Sequence, residues 1–188
     1  MQLKSIEDTQ NFSRKISKKI KAGDVIFLYG EMGVGKTTFV KFFINNLEKK
    51  SGIKNSDVLS PTFNILYDYD VGNIKILHYD LYRLKNYDDI SQLGMFETSK
   101  NDIKIVEWPE LIKSKPKDRI DILFNYSKLV DSRKVKIIGF GRRFLILGFK
   151  KRSKLSIFSI LIDSSFEEIS LSEYFSDIFL TSGELNFL

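Results

Sequence analysis

Cysteine is absent from this 188-residue chain, which excludes disulfides and thiolate metal sites, although the absence alone names no compartment. Long apolar runs are missing too. The longest, residues 155–162, is interrupted by serines and falls far short of the roughly 20 residues that a membrane-spanning helix needs. The opening Met1-Gln2-Leu3-Lys4 carries no secretory pattern, so a soluble cytoplasmic protein without membrane contact is expected. Basic residues are absent from the last part of the chain. All 30 Lys and Arg lie at or before Lys154, while Asp163, Glu167, Glu168, Glu173, Asp177 and Glu184 follow it, so residues 1–154 carry +12 and the remainder −6. Two readings of that asymmetry stay open: a basic surface for nucleic acid or an acidic partner, or a composition in which lysine is the default solvated residue. The single alanine, Ala22, among many Lys, Ile, Asn and Phe fits the second. The length suits one domain of ordinary size.

What the sequence does contain is organised around residues 25–48. Val25-Ile26-Phe27-Leu28-Tyr29 reads as a buried strand, Gly30-Glu31-Met32-Gly33-Val34-Gly35-Lys36-Thr37-Thr38 follows, and Phe39, Val40, Phe43, Ile44 and Leu47 then recur at helical spacing. This is G-x-x-x-x-G-K-T between a strand and a helix, the pattern of a phosphate cradle. Glycines let several N–H groups converge on one anion, and the helix start adds unpaired amides and the positive end of its dipole. Lys36 can reach terminal phosphates, and Thr37 is placed to put its hydroxyl on a bridging magnesium ion. A glycine-rich turn that binds nothing is the alternative, disfavoured by the third glycine, the Lys-Thr pair and the flanking elements.

Elsewhere the elements can be placed coarsely. Ser5-Ile6-Glu7-Asp8 is a capping-box pattern, with Ile6, Phe12, Ile16 and Ile20 marking one face of a helix. Ser60-Pro61-Thr62-Phe63 is a constrained turn whose Thr62 either senses a phosphate or merely caps the turn. Two extended runs, 64–69 and 74–79, flank a turn and predict an antiparallel edge hairpin. The second run ends in His78-Tyr79-Asp80-Leu81-Tyr82-Arg83, and a further strand, 103–106, ends in Glu107-Trp108-Pro109-Glu110. Asp80 and Glu107 thus both lie at the carboxyl ends of strands, where ligands bind in α/β sheets, and either can serve a metal or an attacking water. His78 is expected to be a packed or hydrogen-bonded residue, Trp108 a core side chain, the usual case, or an exposed anchor for a base or partner, and Arg83 either a phosphate contact or half of an ion pair. Residues 88–95 predict a short capped helix. Residues 120–126, 135–140 and 144–149 predict an antiparallel meander, and 155–162 one more strand. The fold class expected is α/β: a P-loop NTPase-like three-layer arrangement, its central sheet mainly parallel, with an antiparallel edge hairpin and C-terminal strands.

The ordered motifs GEMGVGKTT (30–38), SPTF (60–63), HYDLYR (78–83) and EWPE (107–110) resemble those of the TsaE family, also called YjeE, over roughly residues 1–145. That family is a small P-loop ATPase of bacterial tRNA modification. The resemblance implies a P-loop ATPase domain over 1–145; the C-terminal extension, 146–188, departs from it, being longer than the family usually has, and is expected to pack on the same domain. It implies ATP and magnesium as cofactors, TsaB and TsaD as partners, and tRNA reached through their complex, which makes N6-threonylcarbamoyladenosine. Residue by residue, it implies that Gly33, Val34, Gly35, Lys36, Thr37 and Thr38 hold the phosphates, with Thr37 and Glu107 as magnesium ligands. Asp80 becomes a residue of hydrolysis beside Lys36 and Glu107, and Thr62 part of a switch that responds to the terminal phosphate. Trp108 would border the cofactor beside the acidic ligand, with a role in activity or partner contact. Thr9 falls at the adenine side. Two other functions use the same cradle: a small-molecule kinase, and a nucleotide-dependent binding module without turnover. A kinase needs an acceptor pocket and a lid carrying arginines, for which this region offers only Arg83.

Overall fold

Alternation of apolar side chains decides which layer each strand faces. The computed structural model describes residues 1–129 and 131–143, which belong to the unit Met1–Phe149. The expected meander strand over 144–149 and the extension over 146–188 lie outside the described residues. Seven strands form one sheet: β1 (Gln2–Leu3), β2 (Val25–Tyr29), β3 (Leu66–Val71), β4 (Ile74–Asp80), β5 (Ile103–Glu107), β6 (Arg119–Tyr126) and β7 (Arg133–Phe140). Their order is β1-β7-β6-β2-β5-β4-β3. The four inner strands β6, β2, β5 and β4 run parallel, and β3, β7 and β1 pair antiparallel at the edges. The hairpin is as expected, with Gly72-Asn73 between Val71 and Ile74.

Because side chains alternate along a strand, β2 sends Ile26 and Leu28 to one face and Val25 and Phe27 to the other. The first face is covered by helices α1 (Ile6–Ser17) and α2 (Lys36–Lys50), which pack on each other. Phe12 of α1, Phe39 of α2 and Phe124 of β6 meet there with ring centroids 5.3 to 6.4 Å apart. Each such buried ring contributes about 1.5–3 kcal/mol through its area alone. The second face is covered by shorter pieces, among them α3 (Tyr87–Ser91) and a 3₁₀ turn at Pro109–Leu111.

Ser5 caps α1 by accepting from the Asp8 amide, and Asp8 reaches back to the Lys4 amide, one residue before the N-cap amide that a capping box pairs. Ile6 departs from the expected buried stripe: it is 71% exposed, because it is the first residue of the helix and edges a cavity beside the glycine loop. A larger departure is β6. It joins the interior of the sheet beside β2 instead of forming a meander next to it, and its connection from β5 crosses over β2 with only the 3₁₀ turn in between.

Candidate functional site

The loop between β2 and α2 is built by backbone geometry that only glycine accepts easily. Gly30 has φ +134°, and a Cβ there would lie 2.3 Å from the Phe124 carbonyl oxygen, so the close passage of β6 requires glycine. Gly35, at φ +110°, is the N-cap of α2 and faces open space. No side chain caps α2 and no acid lies in its first turn, so its leading amides stay available to an anion from outside. The β6–β7 hairpin steadies this loop: the Tyr126 hydroxyl donates to Met32 O at 2.9 Å, and Arg133 Nε donates to Val34 O at 3.2 Å.

Lys36 is buried, and its Nζ donates to the carbonyls of Gly30 (2.6 Å) and Glu31 (3.0 Å). Its ammonium also lies 4.0 Å from the centroid of the Trp108 ring. Burial pushes its pKa down, while the charges of Glu107, Asp80 and Glu110 pull it back up. Trp108 is half-buried and stacks on Tyr82 with centroids 4.9 Å apart. Its backbone, at φ +58°, turns the chain directly after Glu107.

The two acids at the strand ends face each other across neighbouring parallel strands, Asp80 opposite Glu107, and both are buried. Their hydrogen bonds set them apart. Glu107 Oε1 accepts from the Thr37 hydroxyl at 2.8 Å and also meets His78 Nε2 at 2.9 Å. Asp80 Oδ2 accepts from the Thr62 hydroxyl at 2.6 Å, Oδ1 accepts from the Tyr82 amide at 2.9 Å, and Ser60 Oγ lies 2.8 Å from the same Thr62 hydroxyl. The constrained turn is therefore tied to one acid and the first turn of α2 to the other.

The expected residues thus fall into two adjoining groups. Thr9, Gly33, Val34, Gly35 and Thr38 line one cavity of about 150 Å³, with Arg133 and Asp131 from the β6–β7 hairpin completing it. Lys36, Thr37, Thr62, Asp80, Glu107 and Trp108 form the polar cluster beside it. A larger cavity, about 640 Å³, lies near Val25, Lys104 and Met95 and includes none of the expected residues, so its size does not make it the site of the motifs. Among the described residues Arg83 makes no ion pair; its guanidinium lies over the Phe63 ring at 4.5 Å. His78 is hydrogen-bonded, as expected, but its partner being Glu107 was not legible. Tyr126 and Arg133 carried no motif: they reach the loop from about a hundred residues away.

The donor set suits a small hard cation that keeps most of its water. Among the described residues, no group of three His, Cys, Asp or Glu side chains could hold a metal together. One carboxylate and one hydroxyl beside a phosphate cradle are what magnesium takes from a protein. Fold and cluster together define a P-loop α/β protein, with an anion cradle and a strand-end acid on its helix hydroxyl.

A family model described as threonylcarbamoyl adenosine biosynthesis protein TsaE matches residues 3–135. Similar proteins named tRNA threonylcarbamoyladenosine biosynthesis protein TsaE include one from Aquifex aeolicus, 37% identical over 72% of this chain and 92% of the relative. Another, from Borreliella burgdorferi, is 36% identical over 76% of this chain and 94% of the relative. The crystal structure of Bacillus subtilis YdiB superposes with a TM-score of 0.62 at 29% identity, covering 78% of this chain and 88% of YdiB. The chain belongs to the TsaE family.

Proposed function

We propose that this protein binds ATP with magnesium and hydrolyses it in support of a TsaB–TsaD complex, in the cytoplasm, during formation of N6-threonylcarbamoyladenosine in tRNAs that read codons starting with adenine. The observation that carries this is the hydrogen bond of 2.8 Å between Thr37, in the first turn of the uncapped helix, and Glu107, at the end of β5. It joins a phosphate cradle to an acid in the way a magnesium nucleotide requires. Magnesium, when bound, supplies charge neutralisation at the phosphate oxygens, with Thr37 and Glu107 as the residues that would hold it.

The chain's own groups do the rest. The amides of residues 33–38 bind phosphate, and Lys36 turns its ammonium from loop carbonyls to the terminal phosphates. Asp80 orients the water whose oxygen bonds to the γ-phosphorus as the bond to the ADP oxygen breaks. Thr62, hydrogen-bonded to Asp80, couples the turn at 60–63 to that step. Thr9 and its cavity take the nucleoside side, and Trp108 borders the phosphates over Lys36. Among the described residues no helix is long and apolar enough to cross a membrane.

The test is phosphate release from ATP by the full chain, alone and with TsaB, TsaD and tRNA, comparing wild type with Lys36→Ala and Glu107→Ala. Turnover is expected to rise on assembly and to fall about 100-fold or more in both variants. Unchanged turnover in Lys36→Ala would remove the site. Phosphate appearing on a small acceptor would instead identify a kinase, and tight binding without turnover a binding module.

A further inference from the structure

His78 is fully buried beside a buried acid, yet the chemistry assigned so far does not use it. It lies two residues before Asp80 on β4, and side-chain alternation puts it on the same face of the sheet as Asp80 and Ile76. From there its ring reaches across to the neighbouring strand β5, where Nε2 lies 2.9 Å from Glu107 Oε1. A carboxylate oxygen can only accept from an imidazole, so the ring hydrogen sits on Nε2. The other ring nitrogen, Nδ1, is buried and, among the described residues, has no hydrogen-bond partner. An apolar ring of similar size would fill this space without leaving a buried nitrogen unpaired. What imidazole adds here is the hydrogen bond to Glu107.

That bond has a geometric consequence. Oε1 receives two donors, His78 Nε2 from a strand and the Thr37 hydroxyl from a helix. Among the described residues Oε2 accepts no hydrogen bond. One oxygen is thus used to fix the plane of the group while the other is left over.

We infer that His78 is a positioning residue for Glu107: its Nε2–H holds the carboxylate in a fixed orientation independently of Thr37, so that the acid stays aligned when the threonine hydroxyl is engaged elsewhere. The hydrogen bond itself stands on the geometry; its functional consequence rests on Glu107 being the magnesium-binding acid. Groups that orient a metal ligand from behind typically change metal affinity by about 10- to 100-fold when removed.

Two measurements on the full chain test this. The first needs neither variant nor ligand: ¹⁵N-resolved NMR of the His78 ring, expected to show the hydrogen on Nε2. A ring hydrogen on Nδ1 overturns the inference. The second titrates a fluorescent N-methylanthraniloyl-ADP with magnesium and again with EDTA, in wild type, His78→Phe and His78→Gln. The phenylalanine fills the space without a donor, and the glutamine amide restores one. His78→Phe is expected to lose about 10-fold of the magnesium-dependent gain in affinity while its EDTA affinity is unchanged, and His78→Gln to recover most of it. An unaltered magnesium gain in His78→Phe overturns the positioning role. Glu107→Ala separates the two possible failures: if it keeps the gain, Glu107 is not the magnesium-binding acid, and the functional part of the inference falls while the NMR result still decides the hydrogen bond.

Discussion

Buried acids occur in two regions of this sheet, and they are satisfied differently. On β6, Asp121 lies 3.0 Å from Arg119 Nε, a guanidinium two residues away on its own strand. Burial nonetheless outweighs that partner and raises its pKa from 3.8 to about 6. At the ends of β4 and β5, Asp80 and Glu107 are as deeply buried, but the groups bonded to them are two threonine hydroxyls, one backbone amide and an imidazole. Among the described residues neither makes an ion pair with Lys or Arg. A cation already beside a carboxylate completes it; dipolar donors orient a carboxylate and leave its charge to a ligand. By that criterion Asp121 belongs to the architecture, and Asp80 and Glu107 to the proposed site.

Three measurements put this contrast to the test. The largest effect is expected for Asp80→Asn, which keeps the shape and loses the charge. ATP turnover in the assembled complex should fall about 1,000-fold, while nucleotide affinity measured by fluorescence stays within a few-fold of wild type. Equal losses in affinity and turnover would make Asp80 a binding residue. Next is the pH dependence of stability that comes from Asp121. Its folded carboxyl holds its proton to about pH 6, whereas the unfolded one loses it near 3.8, so the folded state binds more protons between those values. Its contribution is complete below about pH 4 and is lost as pH rises through about 6, roughly 3 kcal/mol in all. Urea unfolding at intervals from pH 4 to 7 should show that decline in wild type and lose it in Asp121→Asn. The smallest effect is expected for Tyr126→Phe, which removes the hydroxyl donated to Met32 O. About 1 kcal/mol of stability should go with it, read from the urea midpoint.

Local chemistry made much of this legible beforehand. Five apolar residues before three glycines and a Lys-Thr pair specify β2, the loop and the start of α2 without reference to anything distant. The edge hairpin follows from two extended runs around Asp70-Val71-Gly72-Asn73, and α1 from a serine followed three residues later by an acid. The limits were set by pairing. Residues 120–126 read as a strand, but a strand that enters a parallel sheet usually follows a crossover helix, and here only Pro109–Leu111 turns in the connection. Its place beside β2 was therefore hidden. So was β1, two residues long and defined by its register with Arg133 and Lys134. At the site, position at a strand end could not separate Asp80 from Glu107. The hydroxyls they bond, Thr62 and Thr37, do so, and those contacts exist only once the turn at 60–63 and the first turn of α2 are folded against the sheet.

The proposed role gives Glu107, and not Asp121, to a magnesium-bound nucleotide. The direct measurement is calorimetric titration of ADP into the full chain with and without magnesium, for wild type, Glu107→Ala and Asp121→Asn. The prediction is that magnesium tightens binding in wild type and in Asp121→Asn but not in Glu107→Ala. An equal magnesium effect in all three proteins would contradict it.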